Sequence, residues 1–453
     1  MINGGSMENK FEKWYSCDIE RETLLKFMER SNSKGLIRIS LHLTVLIALG
    51  YLSFRLIGTY WMYPSFFAYG TVYCFLNHVM HETHHRTPFK SNALNESVHW
   101  ITAFAHGAEP IFDRWGHAQH HTYTYFPDVD PEVPNPRPIK ISVILGQFFG
   151  IGIIKPIPII KHALGIIDSY TENLVPESDW KKMIWSSRLW VLGYAAIIFS
   201  SIYFQTFLPL VFTLFARFYG AFIPTMLNHT QHVGLEENVY DHRLCTRNVK
   251  VNPILSFFYW NMEYHIEHHI YPGVPFHALS KLNNEVKDQL PRPYKSVWAA
   301  YKELIPTIIK QQKESDYHVT PVLPQLKSSK TDENSGEREI RIFEDAEGFW
   351  VSSIKAEELK SNGVLPFKYE SKEYAVYRIG GNFFASDARC THAGALLSKG
   401  MVIGESIECP AHQGRFNIKS GEATHSPACD RLKIYNTRII DSIVYICFPG
   451  KDN

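Results

Sequence analysis

One pattern, His-x-x-His-His, occurs three times in this chain and limits its possible folds more than any other feature. The copies are His81-Glu-Thr-His84-His85, His117-Ala-Gln-His120-His121 and His265-Ile-Glu-His268-His269. With 22 histidines in 453 residues, chance would supply about 0.05 copies. On a helix, positions i, i+3 and i+4 share one face, so each copy can aim its imidazoles at a single point. Neutral imidazole is a ligand for iron, copper, zinc and nickel. Nine such rings exceed the needs of one ion. A fold that gathers the three boxes is therefore expected to hold two metal ions.

The boxes stand at the ends of apolar segments. Residues 36–58, 60–79, 188–205 and 208–227 are long enough to cross a bilayer as helices. The expected architecture over 36–312 is thus an α-helical integral-membrane domain of about four spans with added cytosolic helices. Box one closes the second segment, Asn228 and His232 follow the fourth, and an even number of crossings separates the clusters. All of them then lie on the side of the N-terminal segment 1–35, whose Lys10, Lys13, Arg21, Lys26, Arg30 and Lys34 mark that side as cytosolic. This segment lacks the pattern of a signal peptide. Residues 141–165, broken by Lys155, Pro156, Pro158 and Lys161, read as a membrane-surface helix. Arg217 falls inside the fourth apolar stretch; either it holds an anionic group or the true span is shifted. The net charge of +1 gives no sign of a nucleic-acid partner. Seven dispersed cysteines do not form a secreted disulfide framework.

Residues 313–338 are polar and rich in Pro, Ser, Lys and Glu, and read as a linker. From 339 to 450 short alternating runs such as EYAVYRI and IVYICF predict a small all-β domain. It contains Cys390-Thr-His392 and Cys409-Pro-Ala-His412. Two thiolates and two imidazoles suit structural zinc. The spacing, with Gly394, Gln413-Gly414-Arg415-Phe416, Gly421 and Pro427, instead resembles the Rieske family. That resemblance implies a [2Fe–2S] cluster on Cys390, His392, Cys409 and His412. The additional loop cysteines of the high-potential members are absent, so the domain is similar to the ferredoxin and oxygenase kind.

Residues 36–280 resemble the membrane fatty-acid desaturase/hydroxylase superfamily. The three boxes, the tail His268-His269-Ile-Tyr-Pro272 and the segment Asn228-x-x-x-His232 carry the likeness. It implies two ferrous ions held by His81, His84, His85, His117, His120, His121, His232, His265, His268 and His269, with Asn228 acting through a water. His84 stands where many members have a small residue, and His78 lies three residues before His81. Glu82 and Glu267, inside boxes, are candidate acceptors that would fix imidazole tautomers. The implied chemistry is reduction of O₂ and removal of hydrogen from an unactivated C–H bond, ending in an alkene or an alcohol.

Each turnover needs two electrons, and a Rieske cluster carries one. The chain has no Gly-x-Gly-x-x-Gly fingerprint, so an external NAD(P)H-dependent reductase is expected. A tether between donor and acceptor raises their effective concentration. Fusions familiar in the superfamily carry a haem donor, which makes the Rieske tail a departure. The paired oxygenase and ferredoxin of rhizopine catabolism look similar to the two halves joined. The leading expectation is a fatty-acyl desaturase fed by its own cluster. The alternatives are a hydroxylase or O-demethylase acting on a lipid or small polar substrate and, in another class, a membrane-bound iron or redox sensor.

Overall fold

In chain order the helices that build the first part of the molecule are α1 (Asn32–Arg55), α2 (Met62–Cys74), α3 (Leu76–His84), α4 (Asn92–His106), α5 (Pro110–Thr122), α6 (Ile141–Gln147), α7 (Glu177–Tyr203), α8 (Phe222–His232), α9 (His265–Ile270), α10 (Phe276–Val286) and α11 (Val297–Gln311). The computed structural model describes residues 14–132, 138–152, 156–325, 340–392, 394–425 and 427–449. Residues 1–13 of the expected N-terminal segment and 326–338 of the expected linker lie outside the described residues. The chain divides into two units, one spanning Ser16–Pro324 and the other containing the β-strands after Gln325.

Local sequence explains where the key helices begin and stop. Glu109 caps α5: its carboxylate accepts the N–H groups of Ile111 and Phe112, and Pro110 fills the first turn. Gly107, at φ +80°, ends α4 in the left-handed conformation that glycine adopts without strain. Arg217 completes that end by donating to the carbonyls of Ala105, at 3.0 Å, and His106. Its charge is thus met by the negative end of a helix.

Two helices, α1 and α7, are each long and apolar enough to cross a membrane, and only 17% and 22% of their apolar windows are buried. The other two apolar segments are not single rods. Residues 60–79 run as α2 and α3, meeting at Phe75. Residues 208–227 break into 208–211, 216–220 and the start of α8; at the last break Pro224 has no N–H to give the Gly220 carbonyl. Gly220 packs directly on the backbone of Gly70, where a Cβ would clash. This contact joins the two broken segments, and Tyr69, Val72 and Leu76 share a core with Ala216 beside it. Large apolar side chains face outward along α1 and α7, among them Ile47, Phe54, Leu192 and Phe199.

The second unit is all β. Its strands are β1 (Ile342–Asp345), β2 (Gly348–Lys355), β3 (Gly363–Tyr369), β4 (Lys372–Ile379), β5 (Asn382–Asp387), β6 (Met401–Ile403), β7 (Ser406–Glu408), β8 (Arg415–Asn417), β9 (Ala423–His425), β10 (Ile434–Tyr435), β11 (Thr437–Ile440) and β12 (Ile443–Phe448). They form three antiparallel four-stranded sheets with orders β1-β2-β12-β11, β10-β5-β4-β3 and β6-β7-β8-β9. Strands β2, β4 and β12 alternate large apolar residues into a core of Val351, Val376, Val444 and Ile446. The small third sheet presents two loops, one after β5 and one between β7 and β8. A helical unit followed by a small all-β unit agrees with the coarse part of the expected fold class, while two rather than four helices among the described residues are long and apolar enough to cross a membrane.

Candidate metal centres

Boxes one and two close α3 and α5, box three forms most of α9, and His232 ends α8. These helix ends converge. The ring nitrogens of His81, His85, His117, His121 and His268 lie within 4.8 Å of one another, as do those of His120, His232 and His269. His265 belongs with the second group, since its Nε2 is 3.1 Å from the Nε2 of both His232 and His269. The groups touch where His121 stacks on His269 at 4.3 Å.

Hydrogen-bond partners fix the tautomers. Carboxylates and carbonyls only accept, so the ring nitrogen facing them carries the proton. The Nδ1–H of His117 donates to Glu132 at 2.7 Å, that of His120 to Asp130 at 2.8 Å, and that of His232 to the Cys245 carbonyl at 2.8 Å. Thr124 gives its hydroxyl proton to the His120 carbonyl and so accepts from His269 Nδ1 at 3.2 Å. Each of these rings turns a bare Nε2 lone pair inward. His117 Nε2 then faces His85 Nε2 at 2.9 Å. Both ring nitrogens of His121 and His268 are buried without a hydrogen-bond partner. Orphaned buried nitrogens are costly unless a cation sits among them. A proton is a poor candidate: burial, and then repulsion from neighbouring rings, pushes His81, His117, His121, His265 and His269 well below the ordinary imidazole range. His120 is the exception; burial lowers it, but Asp130 and Glu132 outweigh this and raise it to about 9. The donor set fits a pair of transition-metal ions bound by neutral imidazole.

Two sequence expectations fail here. His84 is set apart from both groups: its Nε2 lies 3.0 Å from Asp113, and its ring packs on His99. On α3 the i and i+4 members of box one face the basin, whereas the i+3 member turns toward α4 and α5. Among the described residues Glu82 and Glu267 make no hydrogen bond to a box imidazole either. Glu82 accepts from the Thr87 hydroxyl and from the backbone N–H of Phe276 at 3.2 Å, tying α3 to the start of α10. Glu267 accepts from Asn248 at 2.6 Å and from Asn283. Both sit one turn-position away from the ring-bearing face. The orienting groups are Asp130, Glu132, Thr124 and the Cys245 carbonyl, none singled out from the sequence. The run Asp-Val-Asp130-Pro-Glu132 just after box two was the available signal. Asn228 accepts from His78 Nε2 at 3.0 Å, and His242 packs 5.1 Å from His269.

Two small cavities reach this basin. One of about 280 Å³ meets His81, His120, His232 and His265; another of about 270 Å³ meets His81, His84 and His117. Asn77 and Glu132 line both.

In the β unit two loops are built alike. Cys390 accepts at its carbonyl from Gly394 N at 2.8 Å and donates its N–H to Ala395 O at 2.9 Å. Cys409 repeats this with Gln413 N at 3.2 Å and Gly414 O at 2.8 Å. Gly394 and Gln413 both take positive φ, +80° and +57°. The matched loops bring His392 and His412 to 5.0 Å, ring to ring. The Cys390 and Cys409 thiols also meet; that contact, with burial, pushes the Cys409 thiol well above its ordinary value. Two buried thiols in contact beside two imidazoles match the two-Cys, two-His donor set of a [2Fe–2S] cluster.

Comparison with known proteins divides the chain at the same place. The fatty acid desaturase profile matches residues 34–301, and the Rieske [2Fe-2S] domain profile matches 349–436. The chain is 38% identical over 90 residues to the ferredoxin component of the naphthalene 1,2-dioxygenase system of Pseudomonas aeruginosa, covering 20% of this chain and 86% of that one. It is 29% identical over 100 residues to the biphenyl dioxygenase ferredoxin subunit of Pseudomonas sp. strain KKS102, covering 22% and 92%. Among solved structures, the Sphingomonas yanoikuyae B1 ferredoxin aligns at 33% identity over 22% of this chain and 97% of that chain, with a TM-score of 0.21.

Proposed function

The chain belongs to the fatty acid desaturase family and ends in a Rieske [2Fe-2S] domain, and from that premise we propose that it is a membrane-embedded C–H oxidase fed by its own cluster. It is an oxidoreductase with a di-iron centre in the helical unit and a [2Fe–2S] cluster in the β unit. When bound, the irons supply O₂ activation and hydrogen removal from an unactivated C–H bond, and the cluster supplies electrons singly.

The observation that carries this reading is the convergence of nine imidazoles, four of which are held with the Nε2 lone pair inward. His81, His85, His117, His121 and His268 would hold one iron. His120, His232, His265 and His269 would hold the other, with Asn228 beside them. Asp130 and Glu132 keep His120 and His117 in the Nδ1–H tautomer, and the Cys245 carbonyl does the same for His232. Their burial keeps water from competing for the inward nitrogens. Cys390, His392, Cys409 and His412 would hold the cluster, which an external NAD(P)H-dependent reductase recharges. Outward apolar side chains on α1 and α7 support embedding in a bilayer. The broken segments 60–79 and 208–227 would complete a four-span arrangement, and the basic N-terminal segment supports a cytosolic face for both metal sites.

The family resemblance favours acyl desaturation, whereas the lining of the cavity beside His81 favours a smaller, more polar substrate. The reaction class is tested with the full chain, a reductase that reduces its cluster and NAD(P)H. Substrate-dependent O₂ uptake that disappears in His268→Ala is the expected result. Oxygen from ¹⁸O₂ in the product identifies hydroxylation, and its absence from an alkene product identifies desaturation. O₂ uptake indifferent to every added compound would instead support a redox sensor.

A further inference from the structure

We propose that this oxidase acts on a compact molecule rich in hydrogen-bonding groups, held in the cavity between α3, α6 and α8 by the side-chain amides of Asn77, Gln147, Asn228 and Gln231. The proposal rests on the oxidase reading above and names what that site accepts.

The cavity of about 280 Å³ is at the small end for ligand sites. Its wall nearest the metal basin is His81, His120, His232 and His265. The remaining wall is unusually rich in amides, and each has an unspent group. Gln147 uses its Oε1 to accept from His229 Nε2 at 2.7 Å, which leaves its two N–H donors. Asn228 uses its Oδ1 on His78, which leaves Nδ2. Gln231 uses its Nε2 on the Tyr259 hydroxyl at 2.8 Å and on His265 Nδ1 at 3.4 Å, which leaves Oε1. Asn77 lines this cavity and its neighbour, and its amide makes no hydrogen bond among the described residues. An amide can make four hydrogen bonds, so four half-used amides around one small space form a recognition surface. A site of this kind discriminates strongly against a molecule that cannot pair with it, because its polar groups would be stranded. An acyl chain is such a molecule.

Among the described residues neither cavity is lined by lysine or arginine, while Glu132 lines both. Among the described residues a carboxylate or phosphate would meet no lysine or arginine, so any counter-charge would come from the metal basin itself. Ile139, Ile144 and Val233 supply an aliphatic patch for the C–H face of the bound molecule. Hydroxyl- or amide-bearing compounds of sugar size combine these features. Hydroxylation of such a compound consumes one O₂, two electrons from the reductase and two protons, placing one oxygen in the product and one in water. Desaturation consumes the same inputs and returns two waters, leaving the product two hydrogens lighter.

The test uses full-length protein with both metal sites loaded, in nanodiscs, with a reductase, NAD(P)H and ¹⁸O₂. One arm receives a deproteinised aqueous metabolite extract, the other a total lipid extract of the same cells. Products gaining one ¹⁸O, or two hydrogens lighter, are expected in the aqueous arm. Products confined to the lipid arm overturn this substrate class and leave the oxidase reading standing. No product in either arm, with the cluster reduced and both irons present, overturns the oxidase reading and this inference with it. For the compound consumed in the aqueous arm, Gln147→Leu is expected to raise KM about tenfold, with kcat within twofold and iron content unchanged. A KM unchanged within twofold removes the amide wall from recognition and overturns the proposal.

Discussion

The helical basin and the β-unit loops both gather imidazoles in a buried place, but they hold them by opposite means. The basin draws its donors from four helix ends spread between His81 and His269, and side chains from other segments orient several of the rings. The loops draw theirs from Cys390 to His412, and backbone hydrogen bonds within each loop set their shape. The basin is therefore exposed to damage at distant residues, whereas the loops are exposed to damage in their own dihedral angles. It follows that the two sites should fail independently.

The largest effects come from the donors themselves. His268→Ala is expected to strip iron from the helical unit and lower O₂-dependent turnover by more than about 100-fold, with the visible spectrum of the cluster intact. Cys409→Ser should abolish that spectrum and leave the other iron bound. Metal analysis beside absorbance reads both; a single substitution that empties both sites would break the comparison.

Next is the scaffold behind box two. Burial holds the Glu109 carboxyl up, to about 7, against an ordinary value of 4.5, even though Ser186 and the first turn of α5 donate to it. Below pH 4.5 it is protonated folded or unfolded and contributes no slope. Between 4.5 and 7 the unfolded chain releases the proton while the fold keeps it, so stability falls as pH rises. The loss levels off above 7 at about 3 kcal/mol as an upper bound. Glu109→Gln removes this dependence, and the difference between thermal melts of the two proteins across pH 4 to 8 measures it. A flat difference would mean that the α5 cap carries its charge inside the fold.

The orienting side chains come third. Asp130→Asn is expected to weaken iron retention in the helical unit about 10–100-fold in chelator competition, because the amide no longer demands the Nδ1–H tautomer of His120. Glu82→Gln, equally buried but tied to Phe276 rather than to a ring, should change it less than about twofold and appear in the melting temperature instead. Equal losses would place Glu82 among the ring-orienting groups after all.

The uneven legibility of the two sites follows from the same contrast. The β-unit loops were readable through their family resemblance, because a loop closed within a few residues is a local object: Cys390, Gly394, Cys409 and Gly414 stand at the positions its hydrogen bonds require. The two-unit order was readable for a related reason, since alternating and helical periodicities are local too. In the basin the i and i+4 histidines were equally plain, but the direction of His84 depends on Asp113 and His99, and those come from other helices. Glu82 and Glu267 were misassigned because proximity in sequence to a box says nothing about the face of a helix. Asp130 and Glu132 were passed over because a loop between helices has no periodicity to read. The breaks in 60–79 and 208–227, and the Gly70–Gly220 contact that joins the two segments, are features that hydropathy does not register.

The smallest effect tests the loops on their own terms. A Cβ placed on Gly394 would meet nothing within 4 Å, yet the residue sits at φ +80°. Gly394→Ala therefore adds no clash, only the strain of a left-handed alanine, about 1–2 kcal/mol. Because Gly394 N closes the loop onto the Cys390 carbonyl, that strain should loosen the cluster and speed its bleaching several-fold at elevated temperature, with iron in the helical unit unaffected. Gln413 holds the matching place in the second loop at φ +57° with a side chain already present. Gln413→Gly should relieve strain there and slow bleaching, the opposite sign at the equivalent position. If both substitutions accelerate loss, side-chain packing rather than backbone shape governs the loops, and the two metal sites are less different than their construction implies.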